Sequence, residues 1–299
     1  MDPHTHELKI GLVLSGGGAK GAYEAGVFRT LWELDLVDQV KVISGTSVGA
    51  VNALLFSMND RKIIHNSWNT ISYSRFINNE EKSRRVNLPG LVRKLRNIHG
   101  ENIVIQELDQ NDIGLISQKG IQQFIEEYVD MEVIRESKRD IYACAYNIDR
   151  NRPEYFQLNG YDKEEMLEVV LASCAIPFLF PPRIIAGNRY ADGGIQSPEY
   201  IVRNIDNVPI TPLAGYDLDM IIVVHLNDKK KEERRIPPGI MEEKIIDIYP
   251  SKSIERIGGT GGLYITHSSL SENIELGYRD SMVTLAPMIV KYLRQRRRS

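Results

Sequence analysis

The chain has 299 residues, 42 % of them hydrophobic and 26 % charged, with a formal net charge of -3. That size and balance allow one large α/β domain or two small ones with a full core, and they exclude an intrinsically disordered chain. The near-neutral charge offers no basic face for nucleic acid. The two cysteines, Cys144 and Cys174, each lie in an apolar stretch, which excludes a disulfide scaffold or a cysteine-rich zinc site.

No run of about 18 apolar residues occurs that could span a bilayer. The N-terminal "MDPHTHELKIGLVLSGGG" carries acids where a signal peptide has positive charge. The expected setting is therefore cytoplasmic, with at most peripheral membrane contact.

In chain order, strands alternate with helices in the pattern of a mostly parallel sheet covered on both faces. The run Ile10 to Leu14 predicts a strand, followed by the glycine loop "SGGGAKG" and a helix from about Ala19 to Leu34. A second strand, Val40 to Ser44, leads through "GTSVG" into a helix from Val48 to Ser57. The polar, turn-rich stretch at about 60–114 is expected to cap the carboxyl end of the sheet as an insertion in a single domain spanning 8–299. Helix Gln118 to Val129, strand Asp140 to Asn147 and helix Glu164 to Ser173 follow. "RIIA" and "RYAD" flank Gly187-Asn188, a two-residue hairpin signal. A strand over Met220 to His225, a charged loop at 227–239 and a helix from Leu270 to Leu285 complete the pattern.

Gly16, Gly18 and Gly21 satisfy G-x-G-x-x-G, the spacing of a dinucleotide loop. Such a unit also needs an acid near the end of the second strand for the ribose hydroxyls, and Ser44 and Gly45 stand there. A P-loop would need Lys at the position of Ala22. A nicotinamide- or flavin-binding protein remains the alternative from another class.

The segment "VKVISGTSVGAVNALLF" reads strand, G-x-S-x-G, helix, the context of a nucleophile elbow with Ser47 at its tip and Gly45 and Gly49 permitting the turn. A serine nucleophile needs a base. Of His4, His6, His65, His99, His225 and His267, only His225 ends an apolar strand downstream of Ser47. A better base is Asp192, delivered by the second hairpin strand directly into Gly193-Gly194, where no neighbouring side chain blocks a cleft.

"GGGAKG", "GTSVG", "ASCAIPFLFPP", "ADGG" and "IELGYRDS", in that order, resemble the patatin-like phospholipases over nearly the whole chain, from Ile10 to about Ala286. The resemblance implies a three-layer α/β/α sandwich with a mostly parallel central sheet and a Ser47–Asp192 dyad. It also implies lipid acyl hydrolase activity on phospholipid or another lipid ester, with no metal and no cofactor. On this reading the glycine loop, Gly16, Gly17, Gly18, Lys20 and Gly21, forms an oxyanion hole whose amides approach closely because Cβ atoms are missing and a helix dipole lies behind them. One departure is Lys20, where the family more often has Arg, whose planar fork Lys cannot reproduce. A non-catalytic module of the same fold is the second alternative.

Within the expected cap, Leu88, Leu91, Val92 and Leu95 fall at helical spacing, while Lys82, Arg84, Arg85, Arg93, Lys94 and Arg96 add positive charge. A basic amphipathic segment over 82–99 is a candidate contact with a membrane surface. The Gly-rich stretch at 256–264 is a candidate hinge, and no regulator is readable.

Overall fold

The computed structural model describes residues 8–71, 118–177, 180–194, 205–227, 234–254 and 267–296. The strands are β1 (Ile10–Leu14), β2 (Val40–Thr46), β3 (Asp140–Asn147), β4 (Arg152–Gln157), β5 (Arg183–Ile185), β6 (Asn188–Asp192), β7 (Met220–Val224) and β8 (Ile245–Ile248). The α-helices are α1 (Ala22–Glu33), α2 (Val48–Ser57), α3 (Arg61–Thr70), α4 (Gln118–Tyr128), α5 (Met131–Arg135), α6 (Lys163–Ser173) and α7 (His267–Arg296).

All strands join one sheet in the order β5-β6-β3-β2-β1-β7-β8, with β4 also paired to β3. The β3-β2-β1-β7-β8 run is parallel, while β4 and β6 pair with β3, and β5 with β6, antiparallel. The central strand β1, "IGLVL", is buried on both faces, as a parallel strand covered by two layers must be. Alternation divides its residues: Ile10, Leu12 and Leu14 enter the larger core with α1, α2 and α6, and Val13 enters a second cluster with Val208, Leu213 and Leu218. Helices thus flank a mixed sheet on both sides, the expected α/β/α sandwich. On the second side the described cover includes the 3-10 helix Thr211–Gly215.

The chain moves from β1 through β2 to β3 on one side and returns to β7 and β8 on the other. A reversal of this kind marks the place, outside the strands' carboxyl ends, where α/β sheets bind ligands.

The structure departs from the expected elements in several places. β4, β8, α3 and α5 are additional, and α7 begins before Leu270 and continues through Pro287. The first residues of the expected cap form α3, capped by the Asp60 side chain and seated in the core through Ile64 and Trp68. The rest of that insertion, including the basic segment at 82–99, lies outside the described residues, as does the 256–264 stretch.

α1 packs along α7 at a crossing made by two glycines. A Cβ on Gly26 would lie 2.0 Å from the Ile274 carbonyl oxygen, and one on Gly277 would lie 2.0 Å from that of Tyr23. Around the contact, Tyr23 donates to Asp280 at 3.1 Å and the Thr30 and Ser281 hydroxyls meet at 2.6 Å. Because backbone rather than a flexible side chain opposes each Cβ, Gly26→Ala and Gly277→Ala should each destabilise by at least the roughly 1–3 kcal/mol typical of overpacking. Thermal denaturation should show a Tm several degrees lower for each variant, and an unchanged Tm would show that the helices can separate freely.

Candidate active site

The site is built on the edge of β3. β2 pairs with that edge through Gly45↔Ala143 and Thr46↔Cys144, and then leaves the sheet. β6 takes its place one residue later, through Ala145↔Asp192. Since β4 occupies the other edge of β3 over the same residues, Thr46, which immediately precedes Ser47, and Asp192 lie against successive residues of one strand, where the rise is ~3.3 Å per residue.

Ser47 has φ 55° and ψ -124°, the left-handed side of the map, between the end of β2 and the start of α2. Such a backbone costs roughly 1–3 kcal/mol and persists only where its surroundings enforce it. Here they do. A Cβ on Gly45 would lie 2.3 Å from Gly49 backbone, and one on Gly49 would lie 2.3 Å from the Leu14 carbonyl oxygen. The turn is also bonded from the side: Ser47 N–H donates to Ser173 Oγ at 2.8 Å, and that hydroxyl donates to the Cys144 carbonyl at 2.6 Å. Ser173 thus joins the end of α6 to both β3 and the elbow. It has no motif spacing of its own, only its place inside "ASCAIPF".

Asp192 is 1 % exposed. Its N–H donates to the Ala175 carbonyl at 2.9 Å, and its Oδ1 accepts from Gly194 N–H at 2.8 Å, so Gly193 and Gly194 turn the chain back under the carboxylate. Oδ2 is enclosed without an aligned hydrogen bond among the described residues. Burial pushes the carboxyl up to about 6, against the opposing pull of the Ser47 hydroxyl and the Gly194 amide. Cys174 borders the same hydroxyl, its thiol driven upward by burial and by Asp192.

The glycine loop follows β1. Gly18–Gly21 is a 3-10 turn, so α1 starts at Ala22 rather than near Ala19. Three of the five residues expected in the oxyanion hole are engaged elsewhere. Gly16 N–H donates to the Asn207 carbonyl at 3.2 Å. Lys20 N–H donates to Gly17 O at 3.3 Å, and its buried ammonium donates to Asn227. Gly21 packs on α2, where a Cβ would lie 2.5 Å from Val48. The amides of Gly17 and Gly18 open the turn, where helical geometry supplies no intrahelical acceptor.

His225 lies just past β7, fully buried, with Nε2 at 2.8 Å from Asp247 and its ring stacked on Tyr249 at 3.9 Å. Burial raises the Asp247 carboxyl, and bonds from His225 and Arg234 outweigh that and hold it low. His225 is thereby tied to β8, while Asp192 is the group beside Ser47. His65 is exposed on α3. Among the described residues no cluster of His, Cys, Asp or Glu could hold a metal ion, and no helix is long and apolar enough to cross a membrane.

The patatin-like phospholipase model matches residues 12–214, which run from β1 past the Asp-Gly-Gly turn. The chain belongs to the patatin-like phospholipase family. Within curated proteins, this patatin-like chain is 28 % identical over 236 residues to triacylglycerol lipase 4 of Saccharomyces cerevisiae, covering 73 % of itself and 24 % of that protein. It is 26 % identical over 215 residues to lysophospholipase nte1 of Aspergillus terreus, covering 72 % of itself and 12 % of that protein. The match therefore spans a quarter or less of these relatives' length. Among solved structures, VipD from Legionella pneumophila shares the fold at TM-score 0.57 and 17 % identity, over 94 % of this chain and 67 % of that one.

The raised carboxyl has a consequence for stability. An acid whose folded pKa lies above its unfolded value stabilises the fold below the unfolded pKa, and that contribution is lost as pH rises through about 6. The shift from 3.8 to about 6 bounds the loss at about 3 kcal/mol. Asp192→Asn should therefore melt higher than wild type at about pH 8, with the gain cut to about half near pH 5, between the unfolded value of 3.8 and the folded value of about 6. Thermal denaturation at the two pH values checks this, and equal Tm values at the higher pH would show that the charge is not costly to bury.

Proposed function

We propose that this patatin-like chain is a lipid acyl hydrolase in which Ser47 and Asp192 form the catalytic dyad of a single catalytic domain. The observation that carries the reading is the hand-over on β3, which sets a strained serine beside a buried carboxyl whose pKa lies near 6.

In the first step Ser47 Oγ attacks an ester carbonyl while Asp192 accepts the hydroxyl proton. A carboxylate with its ordinary pKa near 3.9 is a weak base, and burial moves it closer to working pH. The Gly17 and Gly18 amides stabilise the tetrahedral oxyanion, which draws more from such donors than the ground-state carbonyl does. Asp192 returns its proton to the leaving alcohol, leaving an acyl-serine. Water, deprotonated by Asp192, then attacks the acyl-serine, and Asp192 passes that proton to Ser47 Oγ as the fatty acid leaves.

The names of the relatives, a triacylglycerol lipase and a lysophospholipase, support ester-linked fatty acyl groups as substrate class. Such esters sit at lipid surfaces, so access is interfacial, and the basic stretch at 82–99 is the proposed contact. The dinucleotide reading loses support because the loop's peptide groups are partly consumed by Asn207 and the β2 end carries a serine elbow in place of an acid.

Fatty acid release from vesicles of phospholipid, lysophospholipid and triacylglycerol tests the proposal. Ser47→Ala and Asp192→Asn should each abolish turnover, whereas His225→Ala should retain most of it in the folded fraction. Ordinary turnover by Asp192→Asn would remove the dyad and restore His225 as base. Gly17→Ala should lower kcat on the order of 10²- to 10³-fold, because its Cβ would come 2.8 Å from Leu226 and displace the amide. Normal kcat in that variant would give the loop another role.

A further inference from the structure

Between β6 and β7 the chain returns to the site as a strap, Asp206 to Val208, that touches each of its parts. Asp206 N–H donates to the Gly193 carbonyl at 2.8 Å, just past Asp192. The Asp206 carbonyl accepts from Thr46 Oγ1 at 2.9 Å, just before Ser47. Asn207 then grips Gly16 twice: its carbonyl accepts Gly16 N–H at 3.2 Å, and its Nδ2 donates to the Gly16 carbonyl at 3.2 Å. The fit is close. A Cβ on Gly16 would lie 2.4 Å from Asn207 Oδ1, and one on Gly194 would lie 2.0 Å from it.

The strap is itself anchored. Tyr155 on β4 donates to the Asp206 carboxylate at 2.6 Å, and Val208 is buried in the second core cluster. Burial raises the Asp206 carboxyl to about 6, opposed by Tyr155, the Val208 amide and the charge of Arg235.

We infer that Asn207 is a positioning residue for the oxyanion hole, its side-chain amide aiming the Gly17 N–H. The inference rests on the acyl-hydrolase reading above. The Gly16 carbonyl and the Gly17 N–H belong to one peptide unit, which is planar and trans, so the two groups point in opposite directions. A donor fixed on the carbonyl therefore fixes the direction of the N–H. Three successive glycines lose more backbone freedom on ordering than any other residues would, so the loop cannot hold this direction by itself. Preorganised donors stabilise a transition state because no reorganisation remains when the charge develops. Asn207 supplies that order from outside the loop, and its contact with Gly194 ties the same amide to the turn carrying Asp192.

The test uses a soluble nitrophenyl butyrate ester and a trifluoromethyl ketone analogue, with a fluorophosphonate counting competent Ser47 sites. Asn207→Ala removes the Nδ2 donor and leaves the backbone bond. Per competent site, kcat should fall by at least about tenfold, towards the 10²- to 10³-fold of a lost oxyanion donor. KM should stay within about twofold, and affinity for the ketone should weaken in step with kcat/KM. A residue serving only the fold would reduce the number of competent sites and leave kcat per site unchanged. Should the alanine variant not fold, Asn207→Asp keeps the shape against Gly194, removes the donor and should show the same loss. Wild-type kcat per site in whichever variant folds overturns the inference. Ser47→Ala separates the two readings: turnover by that variant overturns the hydrolase proposal, while an inert Ser47→Ala beside an unimpaired Asn207 variant overturns only the role of Asn207.

Discussion

Along one edge of β3, backbone pairing passes from β2 to β6 between Cys144 and Ala145. A strand edge has a fixed spacing, so this exchange sets the separation of two side chains that are 145 positions apart in sequence without relying on either side chain. Everything else at the site reinforces the same edge. Ser173 bonds to the Cys144 carbonyl and to the Ser47 amide, and the Ala175 carbonyl holds the Asp192 amide. If the register slipped by one residue, the faces presented by β6 would invert and Asp192 would turn away.

The site concentrates costs that the rest of the domain offsets. Ser47 occupies a backbone region that side chains avoid, Asp192 is a carboxyl inside the protein, and the loop after β1 is three glycines long. The offset comes from β1, β2 and β7, whose apolar residues are almost wholly enclosed and join the two core clusters. Rigid strands therefore end in strained turns, and the strain is localised where chemistry is proposed. Stability and reactivity are set by adjacent residues of the same strands.

Much of this organisation is legible in the chain. The apolar runs of β1, β2, β3 and β7 mark strands buried on both faces, and the glycines around Ser47 announce a turn that no other residue would fit. β4 is harder to see, because "RPEYFQ" is a half-exposed strand with charged and polar members. β8 is short and contains Asp247, whose charge is met by Arg234 and His225 only after folding. α3 hides because its buried positions include Ser67 beside Ile64 and Trp68. Pro287 would be read as a helix end, yet α7 runs through it. The role of Asn207 has no local signature at all: its partners, Gly16 and Gly194, are brought to it by tertiary packing.

The glycine crossing of α1 and α7 also orders events in time. Tyr23 and Asp280, which meet beside it, are separated by 257 positions. α1 begins directly after the glycine loop, so the helix behind that loop lacks its partner until the residues of α7 have been synthesised and have closed a very long chain loop. Closure of that kind is slow relative to local helix formation. A nascent chain could thus carry its elbow and its Asp-Gly-Gly turn while α1 remained uncovered. Completion of the candidate site accordingly waits on residues made long after its elbow, about 220 positions further along the chain.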